Sequence, residues 1–286
     1  MANDNSIRLQ GHEKFALREG WLTKGLNEVI NPKYENVFLE KDAAEILGIG
    51  NNMVKSLRYW MRVFGLTNES GTELSLFGNL VEQYDKYIED TFTLWIMHSK
   101  ISKDIHNATS WYMFFNRCDA DDIDKAQIGG ILYREISKFV PGKKISEKSL
   151  DSDIDVLLSM YSKQKENEDP EDKSVSPFSQ LGLVKNTGGK YTKMHPSAKV
   201  FDELIVLYEV ASMIGEKEGL SIDELVYGDN GLNKIYNMSN VMANDYLDRL
   251  DTAEYIRVDR TAGLDMIYPV KTINPDEILK NYYENK

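Results

Sequence analysis

Three stretches of this 286-residue chain repeat one order of patterns: a helix, a turn, a second helix, then two short strand patterns with glycine between them. That recurrence limits the fold more than any single motif. Apolar spacing that changes from a helical period to a strand pair within one short stretch fits a helix-turn-helix followed by a hairpin wing. The predicted fold class is therefore mainly α with small β-hairpins (α+β). Winged helix-turn-helix modules would repeat along it, joined by an aromatic-rich helical region.

The first copy spans residues 39–77. A short helix over 41–47 carries Ala43, Ala44, Ile46 and Leu47 as an apolar patch, and Gly48 and Gly50 stop it. A second helix over 52–64, with Asn51 or Asn52 as N-cap, turns Met53, Leu57, Trp60, Met61 and Phe64 toward a core, and Gly65 ends it. Two strands are expected about the turn Asn68, Glu69, Ser70, Gly71, followed by a helix over 79–88. In the second copy a helix over 146–161, capped by Ser146, leads through a polar excursion at 163–176 to a hairpin turning at Thr187, Gly188 and Gly189. The third begins at Ser221, continues in a helix over 240–250, and closes with strands around Arg260, Thr261, Ala262 and Gly263. Trp95, Trp111, Tyr112, Phe114 and Phe115, between the first two copies, read as core. The expected domains are an N-terminal helix plus winged helix (1–90), a helical middle domain with a second hairpin (91–215), and a winged-helix-like C-terminal domain (216–286).

Composition narrows the function classes. Cys118 is the single cysteine, which excludes an intrachain disulfide and a cysteine-rich zinc or Cys-x-x-Cys centre, and reads as a packed small hydrophobe. No run approaches the roughly 18 apolar residues of a membrane span, and the opening MANDNSIRLQ has no signal-peptide pattern, so no membrane partner is expected and the expected address is the cytoplasm. A net charge of -12 means that any nucleic-acid surface has to be local.

Such a locality exists. Residues 51–67 contain Lys55, Arg58 and Arg62 and no Asp or Glu. With the apolar set inward, Asn51, Asn52, Lys55, Ser56, Tyr59 and Arg62 fall on or beside the outer face, flanked by Arg58. All can donate hydrogen bonds to phosphate or to major-groove base edges of double-stranded DNA. A protein-binding helix is the competing reading, since fold alone does not decide function. The equivalent helix of the third copy carries Asp245, Asp248 and Asp251 against Arg249, which suits a protein contact better. Lys185, Lys190, Lys193, His195 and Lys199, around the second hairpin, offer either a further phosphate contact or a solvated edge.

The run GHEKFALREGWLTKGL supplies the other dense patch. With Phe15, Leu17, Trp21, Leu22 and Leu26 packing, His12, Glu13, Lys14 and Arg18 remain as candidate catalytic groups: a base, a carboxylate and cations suited to phosphodiester cleavage. Ordinary surface ion pairs at a helix start are the alternative. Asp119, Asp121, Asp122 and Asp124 read as the acidic start of a helix. No phosphate loop, dinucleotide fingerprint or Gly-x-Ser-x-Gly elbow is present.

GHEKFALREGWLTKG, ILGIGNNMVKSLRYWMRVFGL, TLWIMHSKI and ATSWYMFFN together resemble a bacterial domain-of-unknown-function family that includes the SspB-type protein of single-stranded DNA phosphorothioation systems. The resemblance implies a DNA-nicking component of an anti-phage system that exchanges a non-bridging phosphate oxygen for sulfur. Other proteins of that system would be its partners, and a divalent metal, magnesium or manganese, would assist cleavage. It carries no catalytic motif residue by residue. Two functions stay open: a nickase using the patch at residues 12–18, and a non-catalytic adaptor or regulator that presents DNA to partner enzymes. The acidic C-terminal half points to partner contacts or to self-association as a homodimer.

Overall fold

The structure, a computed structural model, describes residues 6–162 and 175–286, apart from the side chain of Ala262. Residues 163–174 of the expected polar excursion lie outside the described residues. The chain divides into two compact units, residues 1–194 and 195–286.

The first unit runs α1 (Trp21–Val29), α2 (Ala43–Leu47), α3 (Asn51–Val63), α4 (Leu76–Tyr84), α5 (Thr91–Lys103), α6 (Thr109–Arg117), β1 (Ile123–Asp124), α7 (Lys125–Phe139), α8 (Glu147–Ser162), β2 (Val184–Thr187) and β3 (Lys190–Lys193). The second runs α9 (Glu203–Ile214), β4 (Leu220–Ser221), α10 (Ile222–Tyr227), α11 (Leu232–Ile235), α12 (Asn240–Thr252), β5 (Ile256–Asp259), β6 (Met266–Pro269) and α13 (Pro275–Glu284). The protein is thus α+β, with helices around two small antiparallel sheets. The expected divisions at residues 90 and 215 do not coincide with the two units, because α9, which precedes residue 215, packs on α12 and α13.

Helix starts follow side-chain chemistry. Ser75, Asp90, Asp202, Ser239 and Asn274 each accept a backbone N–H at the first turn of α4, α5, α9, α12 and α13. Asp124 and Gln127 close a reciprocal capping box on α7, which accounts for the acids before that helix. α5 is buried on nearly every side, so it and its Trp95 form the centre of the first core, where Trp60, Phe64, Trp111 and Phe114 of α3, its C-cap and α6 are also fully enclosed. Tyr236, Tyr246 and Tyr283 fill the second core, where Tyr236 donates to buried Glu209 at 2.6 Å.

Both sheets have the same order. β3 lies between β1 and β2, and β6 between β4 and β5, each set pairing antiparallel. Gly188 and Gly189, at φ 61° and 86°, make the turn between β2 and β3 as expected. The first copy departs from expectation. Its two strands reduce to one bridge, Thr67 to Leu74, because the Asn68 side chain takes the N–H groups of Gly71 and Thr72 and closes the turn without a ladder. Gly50, not an asparagine, occupies the cap position of α3, and α4 begins three residues before the expected helix because Ser75 caps it. Among the described residues no helix is long and apolar enough to cross a membrane.

Candidate nucleic-acid interface

α3 is set by two glycine breaks and by its own apolar side. Gly48, at φ 61°, ends α2, and Gly65, at φ 68°, follows the last turn of α3. Val54, Leu57, Trp60, Met61 and Val63 are buried, whereas Asn51, Asn52 and Lys55 are exposed and Arg58 and Arg62 half-buried. No side chain caps the N-terminal end of the helix, so its first amides and the positive end of its dipole face outward beside the two asparagines. Lys55 makes no hydrogen bond or ion pair among the described residues. Arg58 donates to the Ser70 carbonyl at 2.7 Å, which ties the helix to the turn after it. Arg62 donates to Asn107 Oδ1 at 3.2 Å and stands 3.9 Å from the exposed carboxylate of Glu69, a weak pairing in water.

Ser56 and Tyr59 correct the sequence-based placement: both are buried, not outward. A second layer covers that flank of α3. Ser56 Oγ and Trp60 Nε1 donate to the Phe15 carbonyl, and the Tyr59 hydroxyl donates to the Asn107 carbonyl. Burial pushes the Tyr59 phenol well above its ordinary pKa.

The covering layer is the N-terminal segment. Residues 6–10 run without regular secondary structure past the start of α6: the His106 ring lies 3.0 Å from the Ser6 carbonyl, Arg8 N–H donates to Thr109 Oγ1 at 2.9 Å, and Gln10 N–H donates to Asp153 Oδ1 at 2.7 Å. Gln10, Glu13 and Lys14 adopt left-handed φ of 59°, 48° and 68°, a strained turn for residues with side chains. The turn carries His12 inside, with no exposed surface. Its ring stacks on Trp60 at 5.8 Å, and Trp111 meets it edge-on. His12 Nδ1 accepts from Lys14 N–H at 3.1 Å, so the proton sits on Nε2 and is donated to Asp153 Oδ1 at 2.8 Å. Ser110 donates to the other carboxylate oxygen at 2.6 Å.

The four candidate catalytic residues therefore do not meet at one open site. His12 is enclosed with both ring nitrogens engaged; Glu13 and Lys14 are exposed on the turn; Arg18 lies over the Trp21 ring beside a cavity of about 600 Å³ also lined by Glu19, Thr23, Tyr87 and Gln180. The run starts as a turn and becomes helical only at Trp21, so Glu13 caps no helix. Among the described residues no group of three or more His, Cys, Asp or Glu side chains stands where it could hold a metal ion. Asp153 and Ser110 were beyond sequence reasoning, since nothing in the run around His12 points to partners so far along the chain.

The helices that lead into the two later hairpins are predominantly acidic on their exposed sides, with Lys148 on α8 and Arg249 on α12 as exposed cations. α8 exposes Glu147, Asp151 and Asp155, with Lys125 bridging the last two at 2.8 and 2.6 Å. α12 exposes Asp245, Asp248 and Asp251, and Arg260 pairs with Asp248 at 2.7 Å. Lys190 pairs with Asp122 at 2.8 Å on the surface, and Lys193 donates to the Phe115 carbonyl at 3.0 Å, so two lysines of the second hairpin already have partners within the chain.

A family model described as protein of unknown function (DUF4007) matches residues 9–283. The chain belongs to the DUF4007 family. No match was found among curated proteins. Two solved structures share the fold of this DUF4007 chain: a magnesium ion-bound SspB crystal structure, at TM-score 0.82, and an SspB crystal structure, at TM-score 0.80. Each is 22% identical and aligns over 97% of this chain and 88% of its own.

Proposed function

We propose that this DUF4007 protein binds double-stranded DNA through the exposed side of α3 and holds it for the other proteins of a DNA phosphorothioation system. The observation that carries the reading is the charge contrast among three helices: α3 offers Asn51, Asn52, Lys55, Arg58 and Arg62, while α8 and α12 offer mainly carboxylates. A cationic, amide-bearing helix in a chain of net charge -12 is a local device for an anionic partner. The order strand, helices, hairpin around β1–β3 and around β4–β6, with two helices in the first and three in the second, supports winged-helix modules, with the first copy closing its wing by a side-chain turn. The acidic α8 and α12 would serve protein contacts or a homodimer, and the likeness to SspB supports the phosphorothioation setting. A labelled duplex titrated with the protein tests the reading: it should saturate at low salt, and Lys55→Glu with Arg58→Glu should weaken it tenfold or more. Equal binding by both proteins contradicts it.

Strand cleavage is a second reading, favoured by the magnesium ion in one of the SspB structures. Because His12 is enclosed, cleavage would draw on the exposed Glu13, Lys14 and Arg18 with His12 as a positioning residue. Supercoiled plasmid incubated with the protein and magnesium or manganese should open to nicked circles if this holds, and Glu13→Gln should slow it. No opening with either metal contradicts cleavage and leaves the DNA-holding function intact.

A further inference from the structure

Arg8 lies outside the helix assigned to DNA, yet its side chain ends on it. The amides of Arg8 and Gln10 are pinned to Thr109 and Asp153. That fixes where the Arg8 side chain emerges. Its guanidinium lies over the Tyr59 ring, 5.3 Å from the centroid. Gly11 makes room for this arrangement: a Cβ there would stand 2.4 Å from the Tyr59 ring and 2.9 Å from Arg8 Nε.

Tyr59 follows Arg58 on α3 and precedes Arg62 by three residues, so the Arg8 guanidinium joins the part of the helix that carries both. Arg8 donates no side-chain hydrogen bond and forms no ion pair among the described residues. Burial, then the charge of Arg62 and more weakly that of Arg58, hold it below the ordinary guanidinium range, and Tyr59 and Glu13 offset this only in part. The two neighbours keep donor capacity as well. Arg62 uses one Nη for Asn107, and Arg58 one for Ser70. Like charges brought together raise the free energy of the free protein, the exposed Glu69 at 3.9 Å from Arg62 screens this only weakly, and an oxyanion shared among the arginines relieves it.

We propose that Arg8, Arg58 and Arg62 form one phosphate site, in which the pinned N-terminal segment supplies Arg8 to the backbone of a DNA duplex lying along α3. The proposal rests on the reading that α3 holds DNA, and it adds a contact from outside that helix. Arginine suits the role because its planar fork can bridge two oxygens of one phosphodiester while its face remains on the tyrosine.

The test uses the full chain and a labelled duplex of about 20 base pairs, titrated at several salt concentrations. Arg8→Met keeps an apolar stem over Tyr59 and removes the charge; Arg8→Lys returns the charge. Expected is a three- to tenfold weaker affinity for Arg8→Met, a salt slope shallower by about 0.9, an unchanged Tm, and recovery of much of the loss in Arg8→Lys. Arg8→Met binding within twofold of the parent at the same slope, while Lys55→Glu with Arg58→Glu binds weakly, overturns the proposal and leaves the α3 reading standing. A loss that comes with a lower Tm and is not recovered by lysine also overturns it. If Lys55→Glu with Arg58→Glu binds as the parent does, the α3 reading fails first.

Discussion

His12 Nε2 donates to Asp153 Oδ1 at 2.8 Å with both side chains buried, joining the N-terminal turn to α8 across 141 residues of sequence. The carboxylate also receives Gln10 N–H and the Ser110 hydroxyl, so three donors, two from the N-terminal segment and one from α6, converge on one residue. The covering of α3, and with it the position of Arg8, depends on this junction.

Asp153→Ala removes the carboxylate that receives three buried or half-buried donors, which costs about 3–5 kcal/mol by the usual scale for breaking a buried pair. Asp153→Asn keeps an oxygen for Gln10 and His12, and should lose less than half as much. Urea unfolding measures both. Equal stability of the alanine variant and the parent would mean that the junction contributes nothing.

Gly78 is the point where α4 meets the chain leaving α3. A Cβ there would lie 1.9 Å from the Leu66 carbonyl oxygen, which is backbone and has little freedom to retreat. Gly78→Ala should therefore destabilise the first unit by about 2–3 kcal/mol despite the better helix propensity of alanine. A Tm at or above that of the parent contradicts the close approach.

Burial raises the Cys118 thiol to about 11, well above the 9.0 of an unfolded thiol. The folded protein keeps the proton where the unfolded chain has lost it. This contribution to stability is complete below pH 9.0 and is lost as pH rises toward about 11. At pH 8 the thiolate fraction is about a hundredfold lower in the folded state, before burial blocks the reagent further. Native protein should react with an aromatic disulfide reagent at least that much more slowly than protein unfolded in urea; comparable rates would place Cys118 at the surface.

Local chemistry was legible in the sequence and long-range covering was not. The breaks at Gly48 and Gly65, the hairpin at Gly188 and Gly189, the start of α10 after Ser221 and the enclosed Trp95, Trp111, Phe114 and Phe115 all follow from neighbouring residues. Ser56 and Tyr59 were misplaced because helical periodicity assumes one buried side, while α3 has two: the core and the strap at residues 6–15. His12 was expected at the surface for the same reason. A histidine between Gly and Glu carries no local sign that a carboxylate on α8 will receive it. Lys55 is exposed as expected, whereas Arg58 and Arg62 are half-buried, tied to Ser70 and Asn107.

The salt dependence of duplex binding tests the role of α3 most directly. Each phosphate contact contributes about 0.9 to the slope of log affinity against log salt. The parent protein should show a steep slope, and Lys55→Glu with Arg58→Glu should bind at least tenfold more weakly with a slope lower by about 1.8. A double variant that keeps both the affinity and the slope of the parent would contradict DNA binding by this helix.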